Sequence, residues 1–584
     1  MNHELMRHSC SHLLAAAVQT MFPTTKFAIG PAIDTGFYYD FDLPEKITEA
    51  DLNKIEAKMA ELKTQNLAFT RLELPIDSAI AKVKEQNQEY KVELLEDLKK
   101  KGESKVSFYQ TGDFLDLCRG PHVANTGEIG AFKLTAIAGA YWRGDEHNQM
   151  LTRIYGTCFA TQEELDHHLK MQEELKLKDH RKLGKDLDLF SINDDTGPGL
   201  ILWHPKLSVV REEIELFWRR EHRRHGYEYV YTPHIGQAVL WETSGHLDFY
   251  KASMYSPMTI DKVDYYLKPM NCPFHIKIYK NRPRSYRELP LRWAELGTVY
   301  RYEESGVLHG MFRVRGFTQD DAHIICREDQ FVEEIKKAFD FALEINGVFG
   351  FKDFKIYLAA RDPKNLEKYA GEKRVWDLAE ETLKKVLEEK GQKYVFEEGG
   401  AKFYGPAIDV KVVDAFGREW QGTTIQLDFN LPQKFAMTYI DQTGKEVQPI
   451  MIHRTLLGSL ERFVGTLIEV YGGAFPVWLA PVQARLIPIA ERHVEVAAKI
   501  QKMLMAKDLR VDLDQRNEKM QAKIRDAQLE KIPWMLVVGD KEAADETNLQ
   551  ASVRLRTGQD LGMLPVEEIK QRLTEKVAQR SLEV

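Results

Sequence analysis

The chain has 584 residues, which at roughly 100 to 200 residues per domain predicts about three to five domains and excludes a single-module protein. Apolar residues make up 43% of the sequence and aromatic residues 10%, enough for several buried cores, so wholesale disorder is excluded. The 81 Lys and Arg residues against 89 Asp and Glu residues leave a formal charge of −8. This balance argues against a protein that coats DNA through bulk positive charge but permits a local basic face.

The cysteines and the first residues indicate the compartment. The five cysteines are an odd number spread along the chain, unlike the dense framework of a secreted domain, so we expect reduced thiols and a cytoplasmic protein. The opening segment MNHELMRHSCSHLLAAAVQTMF has only a short apolar run and no basic lead-in. It resembles neither a signal peptide nor a membrane span, and we expect no membrane partner.

Hydrophobic periodicity predicts an α+β region at the start of the chain. A helix is expected near 4–22, an extended stretch at 27–41 and charged helices around 48–64 and 76–100, followed by short strands. The segment from 160 to 183 is dense in Glu, Lys and Leu at helical spacing. It predicts a connecting helix over 161–184 that ends near a domain boundary.

The rest of the chain separates into two regions. Residues 185–476 mix strand-like runs such as TVYRYEE and GTTIQLDF with amphipathic helices such as 328–346, which predicts one large antiparallel sheet with packed helices. From 477 to 584 short strands and helices alternate, which predicts a small α/β domain. The predicted boundaries are therefore 1–160, 161–184, 185–476 and 477–584.

Two histidine and cysteine pairs near the N-terminus have helical spacing. His8 and His12 are four residues apart, as are Cys118 and His122, and residues at this spacing share a helix face. Either pair alone is more often an ordinary pair of surface residues. Their co-occurrence, with Asp116 close to the second pair, favours a four-residue site.

A second set of candidates lies in the central region. Cys272, His323 and His453 could supply three zinc ligands and leave a fourth position open, the pattern of a catalytic site. Arg301 and Arg462 lie in motifs beside them, and a guanidinium pairs with phosphate oxygens through two parallel hydrogen bonds. The sequence has neither GxxxxGK[ST] nor a GxGxxG after a strand, so any ATP must be held in another way.

Longer motifs carry a resemblance over nearly the whole chain. YTPHI with Pro233, TVYRYE followed by FRVRGFTQDD, and GSLERF resemble the three signatures of class II aminoacyl-tRNA synthetases. WETSGHLDFY, KPMNCPFH, TQDDAHI, KFYGPAID and KIRDAQLEKIPWMLVVGDKE resemble the bacterial type of threonyl-tRNA synthetase. HSCSH, LCRGPH and YWRGDEHNQMLTRIYG are similar to that family's second N-terminal domain, which hydrolyses mischarged seryl-tRNA.

The resemblance implies an α+β fold with an N-terminal editing domain, a linker helix, a class II antiparallel-sheet catalytic core and a C-terminal α/β anticodon-binding domain. It implies ATP-dependent ligation of L-threonine to tRNA(Thr) through threonyl-adenylate, with hydrolytic editing of seryl-tRNA(Thr). The implied partners are tRNA(Thr), ATP and L-threonine, and motif 1 implies a homodimer. We expect the family's small ubiquitin-like first domain to have no counterpart in this sequence.

The resemblance also assigns residues of the catalytic core. One zinc ion per chain would be held by Cys272, His323 and His453, and Mg²⁺ would accompany ATP. The expected catalytic residues are Arg301 for the α-phosphate, Arg462 for the γ-phosphate and His246 for proton removal. The expected substrate-binding and ATP-binding residues are Glu303, Phe317, Gln319, Asp321, Tyr404, Gln421 and Ser459.

Two further sets of residues are implied outside the core. In the editing domain His8, His12, Cys118 and His122 would position a water, with Lys91, Asp116, Tyr39 and Gly30 near the substrate; whether this quartet holds a metal stays open. The residues expected to contact the anticodon are Arg525, Glu542 and Arg554. The basic residues Arg516, Lys519, Lys523, Arg525 and Lys531 have spacings that allow a basic helical face.

The chemical likeness of threonine, valine and serine explains why a zinc site and a separate editing site would both be needed. An apolar pocket separates close isosteres by only about 1 to 3 kcal/mol. A metal with an open position would reject valine, which lacks a hydroxyl, but serine keeps that hydroxyl and requires a second, hydrolytic site.

The alternative is a non-catalytic synthetase paralogue that acts as an RNA-binding regulator. The intact arginines and the intact Cys/His/His set weigh against it, because a retired active site has no need of them. One departure from the family pattern is Ala407, where the family commonly has Lys, which removes a positive charge beside the adenylate pocket.

Overall fold

The computed structural model describes residues 3–413, 417–545 and 547–584. The chain divides into two units, Met1–Glu174 and Leu175–Val584, which are treated separately below. Among the described residues, no helix has the length and apolar character needed to cross a membrane.

In the part of the first unit that the structure describes, a five-stranded antiparallel sheet and a three-stranded one form the framework. The order in the larger sheet is β1–β3–β8–β7, with β2 paired to β3, and the smaller sheet has the order β4–β5–β6. The elements are α1 (His3–Met21), β1 (Lys26–Phe27), β2 (Ala32–Ile33), β3 (Gly36–Asp42), α2 (Glu49–Thr64), β4 (Phe69–Pro75), α3 (Ile76–Glu85), α4 (Glu89–Lys100), β5 (Lys105–Thr111), β6 (Phe114–Leu117), β7 (Ala131–Tyr141), β8 (Met150–Phe159) and α5 (Gln162–Lys178), which contains the boundary between the units.

Helix α1 is the centre of the first unit's core. It contains no Gly or Pro, and nearly every position from Ser9 to Val18 is buried, as expected for a helix that is covered on most sides. It packs against α2 and against strands β3 and β8. Burial of α1 places His12 inside the unit and leaves His8 half-buried.

The second unit begins with α6 and contains a large sheet with its helices. Its first elements are α6 (His180–Asp186), β9 (Phe190–Ser191), β10 (Leu202–Trp203), α7 (Pro205–Arg224), β11 (Glu228–Tyr229), β12 (Ile235–Gln237), α8 (Ala238–Ser244), α9 (His246–Phe249), β13 (Met258–Ile260), β14 (Val263–Leu267), α10 (Cys272–Tyr279), β15 (Leu291–Tyr300), β16 (Gly316–Cys326), α11 (Phe331–Val348), β17 (Phe354–Ala360), α12 (Lys373–Glu389), β18 (Tyr394–Glu398), β19 (Ala407–Val413), β20 (Glu419–Asp428), α13 (Asn430–Lys434), β21 (Tyr439–Ile440), β22 (Glu446–Val447), β23 (Ile450–Ser459) and α14 (Leu460–Tyr471).

Within the described residues the large sheet has eight strands in the order β11–β15–β16–β23–β20–β19–β17–β18. The strands from β15 to β17 pair antiparallel, whereas β11 and β18 add parallel edges. Helices α7, α11, α12 and α14 contribute to the hydrophobic core that also contains Ala322, Ile324 and Cys326 of β16. Because side chains alternate along a strand, the intervening residues of β16 face the opposite side of the sheet.

The last elements form a smaller mixed sheet with the order β25–β24–β26–β27–β28. They are β24 (Ala484–Pro488), α15 (Val494–Met505), β25 (Val511–Leu513), α16 (Met520–Leu529), β26 (Trp534–Val538), β27 (Gln550–Leu555), β28 (Asp560–Pro565) and α17 (Val566–Ala578). One hydrophobic core of this sheet includes residues of α15 and α17, and a separate core includes residues of α16. The helices therefore cover both faces.

The predicted fold class is confirmed, with one local correction. The single connecting helix predicted over 161–184 is two helices, α5 and α6, because Asp179 between them accepts a hydrogen bond from the Arg181 backbone N–H (2.8 Å) and caps the second helix. The predicted domain boundaries stay predictions.

Candidate functional sites

A cavity of about 620 Å³ lies in the second unit. Its wall includes residues of β16, β20 and β23 in the large sheet, together with residues of the segment between β15 and β16. The predicted residues that line it are Cys272, Arg301, Glu303, Phe317, Gln319, Asp321, Tyr404, Gln421, His453, Ser459 and Arg462. The fold thus brings most of the predicted catalytic core residues to one place.

Strand pairing assembles the Cys/His/His set. In the register of β16 and β23, His323 lies directly opposite His453, and Cys272 is the first residue of α10. His323 Nε2 and His453 Nδ1 are 3.0 Å apart, and one ligand atom from each of the three residues lies within 4.8 Å of the others. All three side chains are buried.

Buried partners fix the proton positions on His323. Burial raises the pKa of Glu295, but hydrogen bonding from His275 and the charge of Lys268 lower it overall, so Glu295 is a carboxylate that accepts from His275 Nε2 (3.1 Å). His275 Nδ1 then has a lone pair, and it accepts from His323 Nδ1 at 2.8 Å. The remaining nitrogen of His323, Nε2, is left without a proton.

Asp428 fixes the proton on one nitrogen of His453. Asp428 Oδ2 accepts from His453 Nε2 at 2.8 Å, so Nδ1 is the nitrogen that faces His323 Nε2. Burial lowers the pKa of His453, but its interactions with Cys272 and Asp428 raise it to about 10, so without a metal the ring keeps a proton on Nδ1 that can be donated to His323 Nε2. A zinc ion that replaced this proton would meet two imidazole nitrogens and a sulfur in a buried site that favours positive charge, so the residues fit zinc.

The two predicted phosphate-binding arginines are held by main-chain oxygens. Arg301 Nε donates to the carbonyl of Pro269 (3.3 Å), and Arg462 Nε donates to the carbonyl of Phe312 (3.1 Å). Burial and the neighbouring Arg301 and Arg313 charges lower the pKa of Arg462. Burial and repulsion from like charges disfavour the charged form of Arg462, yet the fold gathers these arginines in one cavity. Such an arrangement indicates a binding site for an anion.

Further polar groups occupy the cavity wall near the Cys/His/His set. Asp321 accepts from Asn271 Nδ2 at 3.0 Å, and burial raises its pKa. Gln421 Nε2 donates to Asp409 Oδ1 at 2.7 Å. The ring centroid of half-buried Tyr404 lies 5.4 Å from that of His453. The wall here offers carboxylate and amide groups to a small polar ligand.

The opposite end of the predicted set is formed by the segment between β15 and β16. Glu303 pairs with Arg313 at 3.0 Å, and the Arg301 guanidinium lies 5.1 Å from the centre of the Phe317 ring. Ser459 accepts from the Arg462 backbone N–H at 3.1 Å and so begins α14 at the cavity. An aromatic face and charged groups are thus available for a planar polar ligand.

Among the described residues, those that line the cavity include Ala407 but neither His246 nor His323. His246 is buried, its Nδ1 lies 2.7 Å from Ser244 Oγ and its Nε2 3.1 Å from Met270 Sδ, and Met270 lines the cavity. Burial, together with the charge of Arg301, lowers the pKa of His246 to about 4. Ala407 lines the cavity directly at the start of β19.

The predicted editing quartet is assembled in the first unit. Cys118 Sγ lies 3.3 Å from His8 Nε2 and 3.3 Å from His122 Nε2, and ligand atoms of the four residues lie within 4.8 Å of one another. Burial lowers the pKa of His8 and of His12, lowers that of His122 to about 2 and raises that of Cys118 to about 11. The quartet is therefore a set of neutral groups.

A buried network adjoins the quartet. Asp116 forms an ion pair with Lys91 and accepts from the Tyr39 hydroxyl at 2.6 Å. His12 Nε2 lies 3.7 Å from Asp116 Oδ2. A Cβ at Gly30 would lie 2.0 Å from the Tyr39 ring, so a larger residue does not fit there. The structure brings all eight predicted editing residues into one region.

The predicted anticodon residues lie on one face of the last sheet. Glu542 accepts from Ser552 Oγ at 2.6 Å. Ser552 and Arg554 alternate on β27 with residues of the core that contains α15 and α17, so both face the side covered by α16, which carries Arg525. Arg554 and Arg525 are exposed.

The basic helical face is corrected at Lys523. This side chain is buried and donates to the carbonyls of Pro488 and Asp514, each at 3.1 Å. Arg516 is paired with Asp514 and Asp526. Helical spacing identified a shared face but could not show which side of α16 packs against the sheet.

Several residues at these sites were not predicted. His275 lies three residues after Cys272, and this helical spacing could have identified it. Glu295, Asp428, Asp409 and Arg313 gave no comparable signal, because their contacts depend on strand pairing and on a loop between strands.

Family comparisons agree with this geometry. The family described as "tRNA synthetase class II core domain (G, H, P, S and T)" matches residues 254–471, and "Anticodon binding domain" matches 483–576. "Threonyl and Alanyl tRNA synthetase second additional domain" matches residues 106–155. The fold and the cavity are those of a class II aminoacyl-tRNA synthetase.

Comparison with individual relatives identifies the family within this class of synthetases. A threonine–tRNA ligase of Magnetococcus marinus is 52% identical over 579 residues, which is 99% of this chain and 88% of the relative. One from Dehalococcoides mccartyi is 52% identical over 581 residues, 100% of this chain and 98% of that protein. The chain belongs to the threonine–tRNA ligase family of enzymes, which confirms the predicted family and enzyme class.

Two solved structures of threonyl-tRNA synthetases are also similar to this chain. The crystal structure described as the RNA binding domain of threonyl-tRNA synthetase from Cryptosporidium parvum covers 68% of this chain and 98% of its own, at 37% identity and a TM-score of 0.64. A putative threonyl-tRNA synthetase from Aeropyrum pernix covers 69% of this chain and 97% of its own, at 31% identity and a TM-score of 0.59.

Proposed function

We propose that the chain ligates L-threonine to tRNA(Thr) in two steps through a threonyl-adenylate formed in the 620 Å³ cavity. The observation that carries the proposal is the arrangement of this one cavity, where two arginines suited to phosphate line the same wall as Cys272 and His453, whose ligand atoms meet that of His323 in a set suited to zinc. Neither feature alone specifies the reaction, but together they match a nucleotide and a small hydroxyl-bearing amino acid.

In the first step the threonine carboxylate attacks the α-phosphorus of ATP, and pyrophosphate leaves. Arg301 would bind the α-phosphate and stabilise the charge that develops there, and Arg462 would bind the γ-phosphate. Mg²⁺ bound to ATP would neutralise further triphosphate charge. Because main-chain carbonyls hold both guanidinium groups, the arginines are oriented before ATP binds.

Glu303 and Phe317 would recognise adenine, with Phe317 stacking on it. Phe317 already faces the Arg301 guanidinium, and Arg313 already pairs with Glu303. Ser459 and Gln421 would line the adenylate.

Cys272, His323 and His453 would hold a zinc ion, which would supply a Lewis-acidic open position for the amino and hydroxyl groups of threonine. Asp321 and Gln319 lie on the same strand face as His323 and would offer acceptors for the amino and hydroxyl protons. Half-buried Tyr404, which lines the cavity, would close the pocket and exclude water.

In the second step a terminal ribose hydroxyl of tRNA attacks the adenylate carbonyl and AMP leaves. His246 would assist the removal of the hydroxyl proton. Its low pKa keeps the imidazole neutral and able to accept a hydrogen bond. Met270, which contacts Nε2, has to move for His246 to reach the ribose.

The first unit would hydrolyse seryl-tRNA(Thr). Neutral His8, His12, Cys118 and His122 would hold a water against the ester carbonyl, and the ester C–O bond breaks to free serine and the tRNA hydroxyl. The network of Lys91, Asp116 and Tyr39 would position the seryl group beside Gly30.

Arg525, Glu542 and Arg554 would contact anticodon bases, which splay out of single-stranded loops and expose their hydrogen-bonding edges. A homodimer is supported by exposed apolar side chains near β12, β13 and β14. The most exposed of these side chains are Tyr231, Val239, Phe249 and Ile260.

The proposal is tested by ATP–pyrophosphate exchange with threonine, valine and serine on zinc-loaded protein. We expect exchange with threonine and serine, little with valine, and about one zinc per chain. Two zinc ions per chain would place a metal in the editing quartet as well. Protein that binds tRNA(Thr) but shows no threonine-dependent exchange would contradict the proposal and favour a non-catalytic regulator.

A further inference from the structure

His180 lies at the start of α6, where α6 meets α14 and the segment between β15 and β16. Its side chain is fully buried. Nδ1 lies 2.7 Å from Glu469 Oε1, and Nε2 accepts a hydrogen bond from the backbone N–H of Met311 at 3.0 Å. No residue of the predicted catalytic set is among these partners, yet each partner belongs to an element that carries such a residue.

The partners leave one protonation state for the imidazole. Burial raises the pKa of Glu469, but hydrogen bonds from His180 and Arg418 lower it overall, so Glu469 is a carboxylate acceptor. His180 therefore donates through Nδ1. The Met311 N–H can only donate, so Nε2 must be the unprotonated nitrogen. Both ring nitrogens are used, which excludes a metal site at this cluster.

The contact at Met311 lies in a tight turn of the cavity wall. His309 and Arg313 form paired backbone hydrogen bonds, and Gly310 between them has a φ of 49°. A Cβ at Gly310 would lie 2.1 Å from His180 Nε2. A side chain at this position is therefore excluded by the backbone conformation and by His180 together.

The turn is held from a second side by α14. A Cβ at Gly465 would come within 3.0 Å of the Phe312 ring, and the Phe312 carbonyl accepts from Arg462 Nε at 3.1 Å. The Phe312 and Arg313 side chains both line the cavity. A shift of the turn would therefore move the carbonyl that orients Arg462 and the guanidinium that pairs with Glu303.

We propose that His180 is a positioning residue for the ATP end of the cavity. It fixes the turn 309–313 against α14 and so sets the places of Phe312, Arg313 and Arg462, while the Cys/His/His end does not depend on it. The inference rests on the proposed function, because it takes the arginine end of the cavity to be the ATP end.

The role predicts a separation of kinetic constants in ATP–pyrophosphate exchange. Removal of a buried hydrogen-bond acceptor leaves the Met311 N–H unpaired, so in His180→Ala we expect the KM for ATP to rise about 10-fold and the KM for threonine to change less than about twofold. His180→Gln, whose amide can accept from Met311, is expected to restore most of the ATP affinity.

A matched control is His493→Ala, at the residue immediately before α15. His493 is also buried, accepts from a backbone N–H (Ala490, 3.2 Å) and contacts a carboxylate (Asp540, 2.8 Å). This variant loses the same kind of hydrogen bonds, and its KM for ATP is expected to stay unchanged.

A double-mutant cycle separates positioning from loss of fold. Gly310→Ala adds a methyl group that collides with His180, so its effect on the KM for ATP is expected to be several-fold smaller in the His180→Ala background than in the wild type.

Equal rises in both KM values, a fall in kcat alone, or additive effects in the cycle would overturn the proposal. Loss of exchange in the wild-type protein would refute the proposed function instead, so the two failures are distinguishable.

Discussion

The buried chain from Glu295 through His275 to His323 should determine how tightly the protein binds zinc. In His275→Ala, His323 Nδ1 loses its acceptor at 2.8 Å and Glu295 loses its donor at 3.1 Å. His323 is then free to adopt the other tautomer, which places a proton on the nitrogen that faces His453. Zinc binding would then require the proton of His323 to move back to Nδ1 and the imidazole ring to be held in one orientation.

The size of the effect follows from the two hydrogen bonds. One is neutral and worth about 1 kcal/mol, and the one to the carboxylate is worth about 1.5 to 3 kcal/mol. Because Glu295 keeps its contacts with Thr232, we expect a loss of about 1.4 to 2.7 kcal/mol, which is a 10- to 100-fold weaker zinc affinity. His275→Asn keeps an acceptor for His323 and should fall between alanine and wild type.

Competition with a chromophoric chelator measures the zinc affinity directly and requires no turnover. His493→Ala provides a control for the loss of a buried histidine, and its zinc affinity is expected to match that of the wild type. The reasoning is refuted if His275→Ala binds zinc within about twofold of wild type, or if His275→Asn is as weak as His275→Ala.

Other sites give independent tests. Arg462→Ala should lower kcat/KM for ATP in pyrophosphate exchange by about 10² to 10³, with Arg462→Lys recovering only part; a change below threefold would remove Arg462 from the phosphate site. Burial raises the pKa of Glu461 from 4.5 to about 7, so the folded protein holds this proton more tightly and loses stability as the pH rises between these values. Glu461→Gln should therefore be more stable than wild type at pH 8 by up to about 3 kcal/mol, with the difference vanishing near pH 4; parallel melting profiles across this pH range would contradict the assignment. The double variant His8→Ala, His12→Ala should lose seryl-tRNA deacylation and keep threonine activation; persistent hydrolysis would show that the quartet is not the editing site.

Residues with distinctive chemistry were predictable because reactive side chains occur in short motifs. Cys272, Arg301 and Arg462 lie in such motifs, and the structure places all three on the cavity wall.

Partners that lie far apart in the sequence were not predictable. His323 meets His453 because β16 and β23 pair in one register, 130 positions apart in the sequence. His180 meets Glu469 across 289 positions. Local spacing contains no information about such a register.

The sequence by itself indicated the kind of protein, through motifs that resemble a known family, and it indicated the order of the segments and most of the side chains that line the cavity. Tertiary structure alone decided the proton positions on His323 and His453, the burial of Lys523 and the support of the turn 309–313 by His180. Those properties depend on which groups are brought together in the interior, where a buried polar group must find a partner.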